Sequence, residues 1–269
     1  MRFRRVLKER KPSSQTETEL KRQDMTSNCV ALVTGANKGL GQEVARQLGR
    51  RGMTVLLGCR DRTRGETAAA ELVAEGLDVA PTALDVTQVT SAEAVADHIR
   101  KTYGRLDVLI NNAGIHVGRP ALEIRATEMR KTFETNVFGV VTMINIMLPL
   151  LKEAPEPRIV NVASTTASLA LTSDPTSLFG QENNSLAYAS SKSAVTMLTV
   201  QYANALRRLP AYAHVKINAV TPGYIATDLN GHTGPRSVEQ GARIVIDLAT
   251  IAHDGPSGGF FNDDGSVPW

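Results

Sequence analysis

A glycine-rich turn between a short apolar run and a helical pattern is the feature that most constrains this chain. The run Cys29–Val33 is apolar and long enough for a buried strand, and apolar residues recur at helical spacing directly after the turn. The turn has the spacing G-x-x-x-G-x-G, and its glycines are Gly35, Gly39 and Gly41. A strand, a glycine turn and a helix N-terminus in this order predict a nucleotide phosphate site, because backbone N–H groups can approach the anion closely.

The remainder of the chain repeats this alternation of apolar runs and helical patterns. The predicted strands are Cys29–Val33, Thr54–Gly58, Val79–Leu84, Leu106–Ile110, Arg158–Ala163, Val215–Val220 and Gly259–Phe261. The predicted helices run from Leu40 to a stop at Gly52 and over Glu66–Glu75, Ala92–Tyr103 (with Thr90 and Glu93 as a capping box), residues 128–153, Ser185–Arg208 and Val238–Ile251. We therefore expect an α/β fold, a doubly wound parallel sheet of the Rossmann type with helices on both faces, in a single domain. A ligand would bind beyond the carboxyl ends of the strands.

Charge is concentrated at the start of the chain. Residues 1–24 carry eight basic and four acidic residues, so they account for the net charge of +3 and the remainder is close to neutral. We expect residues 1–28 to be a disordered basic N-terminal extension and residues 29–269 to be one Rossmann-type domain. A near-neutral domain predicts no nucleic-acid partner.

The sequence contains no run of about 18 apolar residues, so we expect no membrane span. Its two cysteines suit a reducing cytoplasm.

The end of the second strand bears on which dinucleotide would bind. NAD sites usually place an acid there, which accepts hydrogen bonds from the ribose 2′-OH. Here Cys59 is neutral and Arg60 adds a guanidinium suited to the 2′-phosphate of NADP(H). Lys38, inside the glycine turn, could reach the same phosphate. The pattern favours NADP(H), although Asp61 would restore an acid if the strand ended two residues later.

Two further strand ends carry candidate cofactor contacts. Asp85 ends the third strand, where its carboxylate can accept a hydrogen bond from the adenine amino group or can cap a turn. Asn112, Ala113 and Gly114 end the fourth strand, where small residues let the backbone lie along a cofactor.

These motifs, together with Tyr188-Ala189-Ser190-Ser191-Lys192, resemble the short-chain dehydrogenase/reductase family, and most of all its carbonyl reductases. The resemblance covers residues 29–269. It implies no metal site and an NADP(H) site formed by Gly35, Asn37, Lys38, Gly39, Leu40, Gly41, Arg60, Asp85, Val86, Asn112, Ala113, Gly114, Tyr188, Lys192, Pro222, Gly223 and Thr227.

The resemblance also implies a catalytic tetrad, whose members are Asn136, Ser164, Tyr188 and Lys192. Tyr188 and Lys192 are one helical turn apart and share a face. An ammonium beside the phenol should lower its pKa from the ordinary value near 10. In the family, the tyrosine exchanges a proton with the carbonyl oxygen, the serine orients that oxygen, the lysine reaches the nicotinamide ribose, and the asparagine holds a water linked to the lysine.

The implied function is NADP(H)-dependent reduction of a small-molecule ketone or aldehyde to an alcohol, or the reverse. One alternative is an NADP(H)-binding regulator without catalysis, against which the intact tetrad argues. Another is an isomerase or lyase that uses bound cofactor transiently.

Residues 165–184 and 224–236 have no assigned structure, and the segments there should border the active site. Residues 224–235 are the candidate substrate lid, with Tyr224, Leu229 and His232 as possible substrate contacts and with no visible partner for His232. Residues 165–187 are longer than the equivalent family segment and precede the helix that usually packs against a second subunit. An insertion there could block such a dimer, but it is shorter than in monomeric carbonyl reductases, which favours a homo-oligomer.

Overall fold

A sheet of eight strands forms the centre of the part of the chain that the structure describes. The structure is a computed structural model and describes residues 29–181 and 184–269. The strands are β1 Val30–Thr34, β2 Thr54–Cys59, β3 Val79–Ala83, β4 Val108–Asn111, β5 Arg158–Val162, β6 Lys216–Val220, β7 Phe260–Asn262 and β8 Gly265–Ser266. Their order is β3-β2-β1-β4-β5-β6-β7-β8, and all neighbours are parallel except β7 and β8. The predicted doubly wound parallel sheet is confirmed, whereas the extension predicted over residues 1–28 lies outside the described residues.

Helices cover both faces of the sheet. They are α1 Gly39–Gly49, α2 Arg62–Ala74, α3 Val89–Thr102, α4 Ala126–Phe133, α5 Gly139–Leu151, α6 Leu169–Thr172, α7 Leu186–Arg208 and α8 Val238–Ala249. A π-helical turn, Glu134–Phe138, joins α4 to α5, and short 3₁₀ turns occupy Thr165–Ala167, Pro210–Tyr212 and Asp228–Asn230.

The sheet separates two apolar cores. Residues of α3, α5 and α7 pack on one face, and residues of α1, α2 and α8 pack on the other. Within β1, Leu32 points to the first core while Ala31 and Val33 point to the second. Both sides of the central strands are buried, which is why they appear in the sequence as largely apolar runs.

Two predicted helix starts are wrong, and a side-chain hydrogen bond explains the first. Helix α2 begins at Arg62, a turn earlier than expected, because the Asp61 side chain accepts a hydrogen bond from the Arg64 N–H and caps it. Helix α3 begins at Val89, so Thr90 lies inside the helix and no capping box forms there.

One helical segment, Ala126–Leu151, is long and apolar enough to cross a membrane by length and composition alone. Half of its most apolar stretch is buried inside the fold, and Met143, Ile144 and Met147 are fully enclosed in the first core. A core helix has this same composition, so the evidence for a membrane span is weak. The expectation of no membrane partner stays a prediction.

The sheet order fixes where a ligand can bind. From β1 the chain moves outward through β2 and β3, then returns to β4 on the other side of β1. The connections leaving β1 and β4 therefore run in opposite directions, and a crevice opens at the carboxyl ends of these two strands. The glycine turn and residues 112–114 both lie at this edge.

Candidate active site

The glycine turn is held tightly between β1 and the end of β4. Gly35 has a φ of 64°, and a Cβ there would lie 2.8 Å from the Ala113 Cα. The Asn112 side chain donates to the carbonyls of Thr34 at 2.9 Å and Gly35 at 3.1 Å. A Cβ on Gly41 would lie 2.5 Å from the Asn112 Nδ2 atom. The turn thus needs glycine for both its conformation and its packing.

The N-terminus of α1 presents backbone N–H groups at this turn. Lys38 is the residue before the helix, and its side chain makes no capping hydrogen bond. Asn37 is half-buried, Leu40 is buried and Lys38 is exposed. An uncapped helix start beside glycines that allow close approach fits a phosphate group.

Two charged residues, Arg60 and Asp61, follow β2, and they have different surroundings. Arg60 directly follows the strand, is exposed, and has no acidic partner among residues 29–181 and 184–269. Asp61 instead caps α2 and lies 3.5 Å from the Arg64 guanidinium. The acid that could have served a ribose 2′-OH is therefore engaged in the helix start, and Arg60 is the side chain available at this position.

Asp85 and Val86 lie just beyond β3. The Asp85 Oδ1 atom accepts from the Thr87 N–H at 3.0 Å and from its hydroxyl at 2.8 Å, so this carboxylate does stabilise a turn. Val86 is buried, and a Cβ on Gly139 would lie 2.8 Å from its Cγ2 atom. Their contact with an adenine stays a prediction.

Three of the four predicted catalytic side chains meet between β5 and α7. Tyr188 and Ser164 share a side-chain hydrogen bond. The Lys192 Nζ atom lies 5.6 Å from the centroid of the Tyr188 ring and donates to the Val162 carbonyl at 2.7 Å. The Ser164 Oγ atom also accepts from the Thr166 hydroxyl at 3.0 Å, which fixes its position at the end of β5.

Asn136 completes this group from the π-helical turn. Its amide exchanges two hydrogen bonds with the backbone of Ile115, at 2.8 and 2.9 Å, and donates to the Ser191 hydroxyl at 3.0 Å. Gly114 lies between Asn136 and Lys192, since a Cβ there would be 3.4 Å from the Asn136 Oδ1 atom and 3.5 Å from the Lys192 Nζ atom. The structure therefore brings all four residues together.

The expected effect of Lys192 on Tyr188 is wrong for the protein alone. Burial raises the pKa of Tyr188 to about 12, and the hydrogen bond from Ser164 acts in the opposite direction. Burial also lowers the pKa of Lys192 to about 8. The ammonium donates to the Val162 carbonyl rather than to the phenol, and its own charge is disfavoured by the same burial. Tyr188 thus holds its proton strongly near neutral pH.

His116 is a site residue that sequence reasoning missed. Its ring meets the Tyr188 ring edge-on, with centroids 5.0 Å apart and an interplanar angle of 79°. Its Nε2 atom lies 3.4 Å from the Ser185 hydroxyl, one residue before α7. No local pattern marks His116, because 72 positions of chain separate it from Tyr188 and only the fold brings them together.

The segment after β6 folds back onto the glycine turn. Gly223 has a φ of 74° and adjoins the Arg236 guanidinium, which lies 2.8 Å from the place of an added Cβ. The Thr227 methyl lies 3.5 Å from where a Cβ of Gly39 would be. Pro222, Gly223 and Thr227 therefore border the same crevice as the turn.

Two residues of the predicted lid have partners that the sequence did not show. The Asp228 carboxylate is ion-paired with Lys38, and its Oδ1 atom lies 2.6 Å from the His232 Nε2 atom. The expectation that His232 lacks a partner is wrong. Tyr224 and Leu229 are exposed, with 55% and 44% of their surface accessible.

The chain belongs to the short-chain dehydrogenase family, whose family model matches residues 29–237. Members of this family with clear similarity to it are oxidoreductases, and this protein is an enzyme of that class.

The chain is similar to carbonyl reductase 1 (NADPH) of Bos taurus, with 35% identity over 91% of this chain and 99% of that protein. It is similar to (-)-isopiperitenone reductase of Mentha piperita, with 33% identity over 87% of this chain and 96% of that protein. Among solved structures, salutaridine reductase of Papaver somniferum has 29% identity and a TM-score of 0.73, covering 87% of this chain and 99% of that one. The predicted resemblance to the family and to its carbonyl reductases is confirmed.

Proposed function

We propose that this enzyme is an NADP(H)-dependent reductase of small-molecule ketones or aldehydes, with Tyr188 as the general acid. The observation that carries the proposal is the meeting of Tyr188, Ser164, Lys192 and Asn136 at the edge of the sheet that also holds the glycine turn.

The choice of NADP(H) rests on residues around the turn. The uncapped start of α1 suits the pyrophosphate, and Arg60 and Lys38 supply positive charge for a 2′-phosphate. Asp61, the acid that could favour NAD, is engaged in capping α2. The bovine relative is named for NADPH, which supports the same choice. When bound, NADPH would supply the hydride.

The residues of this chain would manage the proton. A substrate carbonyl oxygen placed between the Tyr188 and Ser164 hydroxyls, which interact with each other, would accept a hydrogen bond from both. Because the pKa of Tyr188 is raised to about 12, its phenol is protonated at neutral pH and is ready to donate as negative charge develops on that oxygen. Ser164 stabilises the same charge. Lys192, with a pKa lowered to about 8, can return a proton to the phenolate afterwards.

Other properties are proposed on sequence grounds. We infer a homo-oligomer in the cytoplasm, without a nucleic-acid, membrane or metal partner. The pairing of Tyr188 with Ser164 argues against a regulator, which has no need for a proton donor. An isomerase or lyase that transfers a hydride transiently would use the same residues, so net consumption of the cofactor separates it from a reductase.

A panel of aldehydes and ketones, assayed by absorbance of the reduced cofactor with NADPH and NADH in parallel, tests this proposal. We expect consumption of NADPH with at least one carbonyl and weaker activity with NADH. Product formation without net NADPH consumption would indicate an isomerase or lyase. Tight NADPH binding without any turnover would indicate a regulator.

A further inference from the structure

An ion pair connects the glycine turn to the loop that follows β6. Lys38 lies in the turn, and Asp228 is the first residue of the 3₁₀ turn Asp228–Asn230, 190 positions along the chain. The Lys38 Nζ atom contacts the Asp228 Oδ2 atom, while 56% and 50% of the two side chains stay accessible to solvent. The pair is therefore open to a competing ligand.

Local structure directs the Asp228 carboxylate toward Lys38. The Asn230 side chain accepts from the Thr227 N–H at 3.1 Å and donates to the Ile225 carbonyl at 2.8 Å, which fixes the backbone on both sides. His232 contacts the Oδ1 atom of Asp228 and leaves Oδ2 for Lys38. Hydrogen bonds from Lys38 first and then His232 lower the pKa of Asp228, so the carboxylate is charged at neutral pH.

The two cations proposed for a 2′-phosphate differ in their surroundings. Arg60 has no acidic partner within the described part of the chain, whereas Lys38 is already neutralised by Asp228. A phosphate and a carboxylate both accept hydrogen bonds from an ammonium, and their like charges repel each other when they share it. A 2′-phosphate that uses Lys38 must therefore displace Asp228 or tolerate its charge.

We propose that Asp228 is a specificity-determining residue that limits the preference for a 2′-phosphorylated dinucleotide by competing for Lys38. This inference rests on the proposed use of NADP(H). The effect of Asp228 on NADPH affinity should be modest, because an exposed ion pair contributes little free energy. We expect a change of about 2- to 5-fold. NADH has no 2′-phosphate, so its affinity should not change with the same substitution.

A double-mutant cycle tests the competition directly. The dissociation constants of NADPH and NADH would be measured for the wild type, Asp228→Asn, Lys38→Met and the double variant. Asp97→Asn is a matched control. Asp97 is likewise an exposed carboxylate in an ion pair, but its partner is Arg100 and both residues lie on α3. We expect Asp228→Asn to tighten NADPH by about 2- to 5-fold and to leave NADH unchanged. The effect should vanish in the Lys38→Met background.

Three outcomes would overturn the inference. They are no change in NADPH affinity for Asp228→Asn, equal weakening of NADPH and NADH, or the same gain in the Lys38→Met background. If Asp228→Asn does not fold, as judged by thermal unfolding, Asp228→Ser serves in its place. If the wild type binds NADPH no better than NADH, the proposed preference for NADP(H) is wrong. The wild-type measurement shows this before any variant is made.

Discussion

At the residue scale, the proton affinity of Tyr188 depends more on burial than on its neighbouring amine. Burial raises the pKa of the phenol to about 12 and lowers that of Lys192 to about 8. As the pH rises, Lys192 therefore loses its proton before Tyr188 does. This order suits reduction, in which the phenol must be protonated at the start of each turnover.

The order of these pKa values predicts the pH dependence of carbonyl reduction. We expect kcat/KM to decline above about pH 8, because Lys192 in the free enzyme loses its charge there. Tyr188 should keep its proton up to about pH 10. Initial rates at low substrate concentration over this range provide the measurement. If kcat/KM instead declines around a pH below 7, and does so in the Lys192→Arg variant as well, the phenol of Tyr188 has a lowered pKa.

His116 should position the Tyr188 ring. Loss of an edge-on aromatic contact costs about 0.5–1.5 kcal/mol, so we expect His116→Leu to lower kcat by roughly 2- to 10-fold. His116→Phe preserves an aromatic edge and should retain most of the activity. The affinity for NADPH, measured by titration, should be the same in both variants. Equal loss of kcat in both would contradict this role.

At the scale of the elements, three segments hold the catalytic group. Helix α7 carries Tyr188 and Lys192, the end of β5 carries Ser164, and the π-helical turn carries Asn136. When a π-helical turn interrupts an α-helix, it is often found at a functional site. Here the Asn136 amide links the loop after β4 to α7 through Ile115 and the Ser191 hydroxyl.

Packing of the glycine turn predicts the effect of Gly41→Ala. Helix propensity alone would favour alanine by about 1 kcal/mol. However, the new Cβ would lie 2.5 Å from both the Gly35 carbonyl oxygen and the Asn112 Nδ2 atom. Such overpacking costs about 1–3 kcal/mol, so we expect a lower melting temperature and at least about 10-fold weaker NADPH binding.

Gly118→Ala is the control for this substitution, because its Cβ would make only an ordinary contact, at 3.6 Å from His116. Calorimetry and cofactor titration on both variants provide the comparison. Unchanged NADPH binding in Gly41→Ala would show that the turn does not need this close packing.

Sequence patterns predict elements where local signals dominate and miss those set by distant contacts. The seven longer strands were predicted from their apolar runs, of which β3 has the weakest because only Val79 is buried in it. The two-residue β8 carries no such signal. In residues 165–184 the short helix α6 was missed, although Ser168 caps it through the Leu171 N–H. Its four residues form one turn, too short to show a helical period, and the Ala170 N–H donates to the Trp269 carbonyl across the fold.

The candidate site shows the same division between local and distant signals. The identities of Ser164, Tyr188 and Lys192 follow from family motifs, whereas their contacts needed the fold. The contact of His116 with Tyr188 and that of Asp228 with Lys38 could not have been predicted, because the two residues of each pair lie far apart along the chain. Asp228 and His232 are only four residues apart, but no local pattern marks them as a pair.

At the scale of the whole molecule, the subunit count is still a prediction. Near the start of the segment before α7, the Ala167 carbonyl accepts a hydrogen bond from the Ser193 hydroxyl of that helix at 2.9 Å. We expect a homo-oligomer, so light scattering coupled to size-exclusion chromatography should give a mass of at least twice the 28.9 kDa of one chain. A single-chain mass at assay concentration would contradict this expectation.

The most direct test of the account is hydride transfer by Tyr188→Phe in a single turnover with NADPH and an accepted carbonyl substrate. The phenylalanine keeps the ring beside His116 and removes only the hydroxyl that donates the proton. We predict a rate about 10²- to 10⁴-fold below that of the wild type, with NADPH affinity nearly unchanged. A variant that reduces the carbonyl at the wild-type rate would contradict the assignment of Tyr188 as the proton donor.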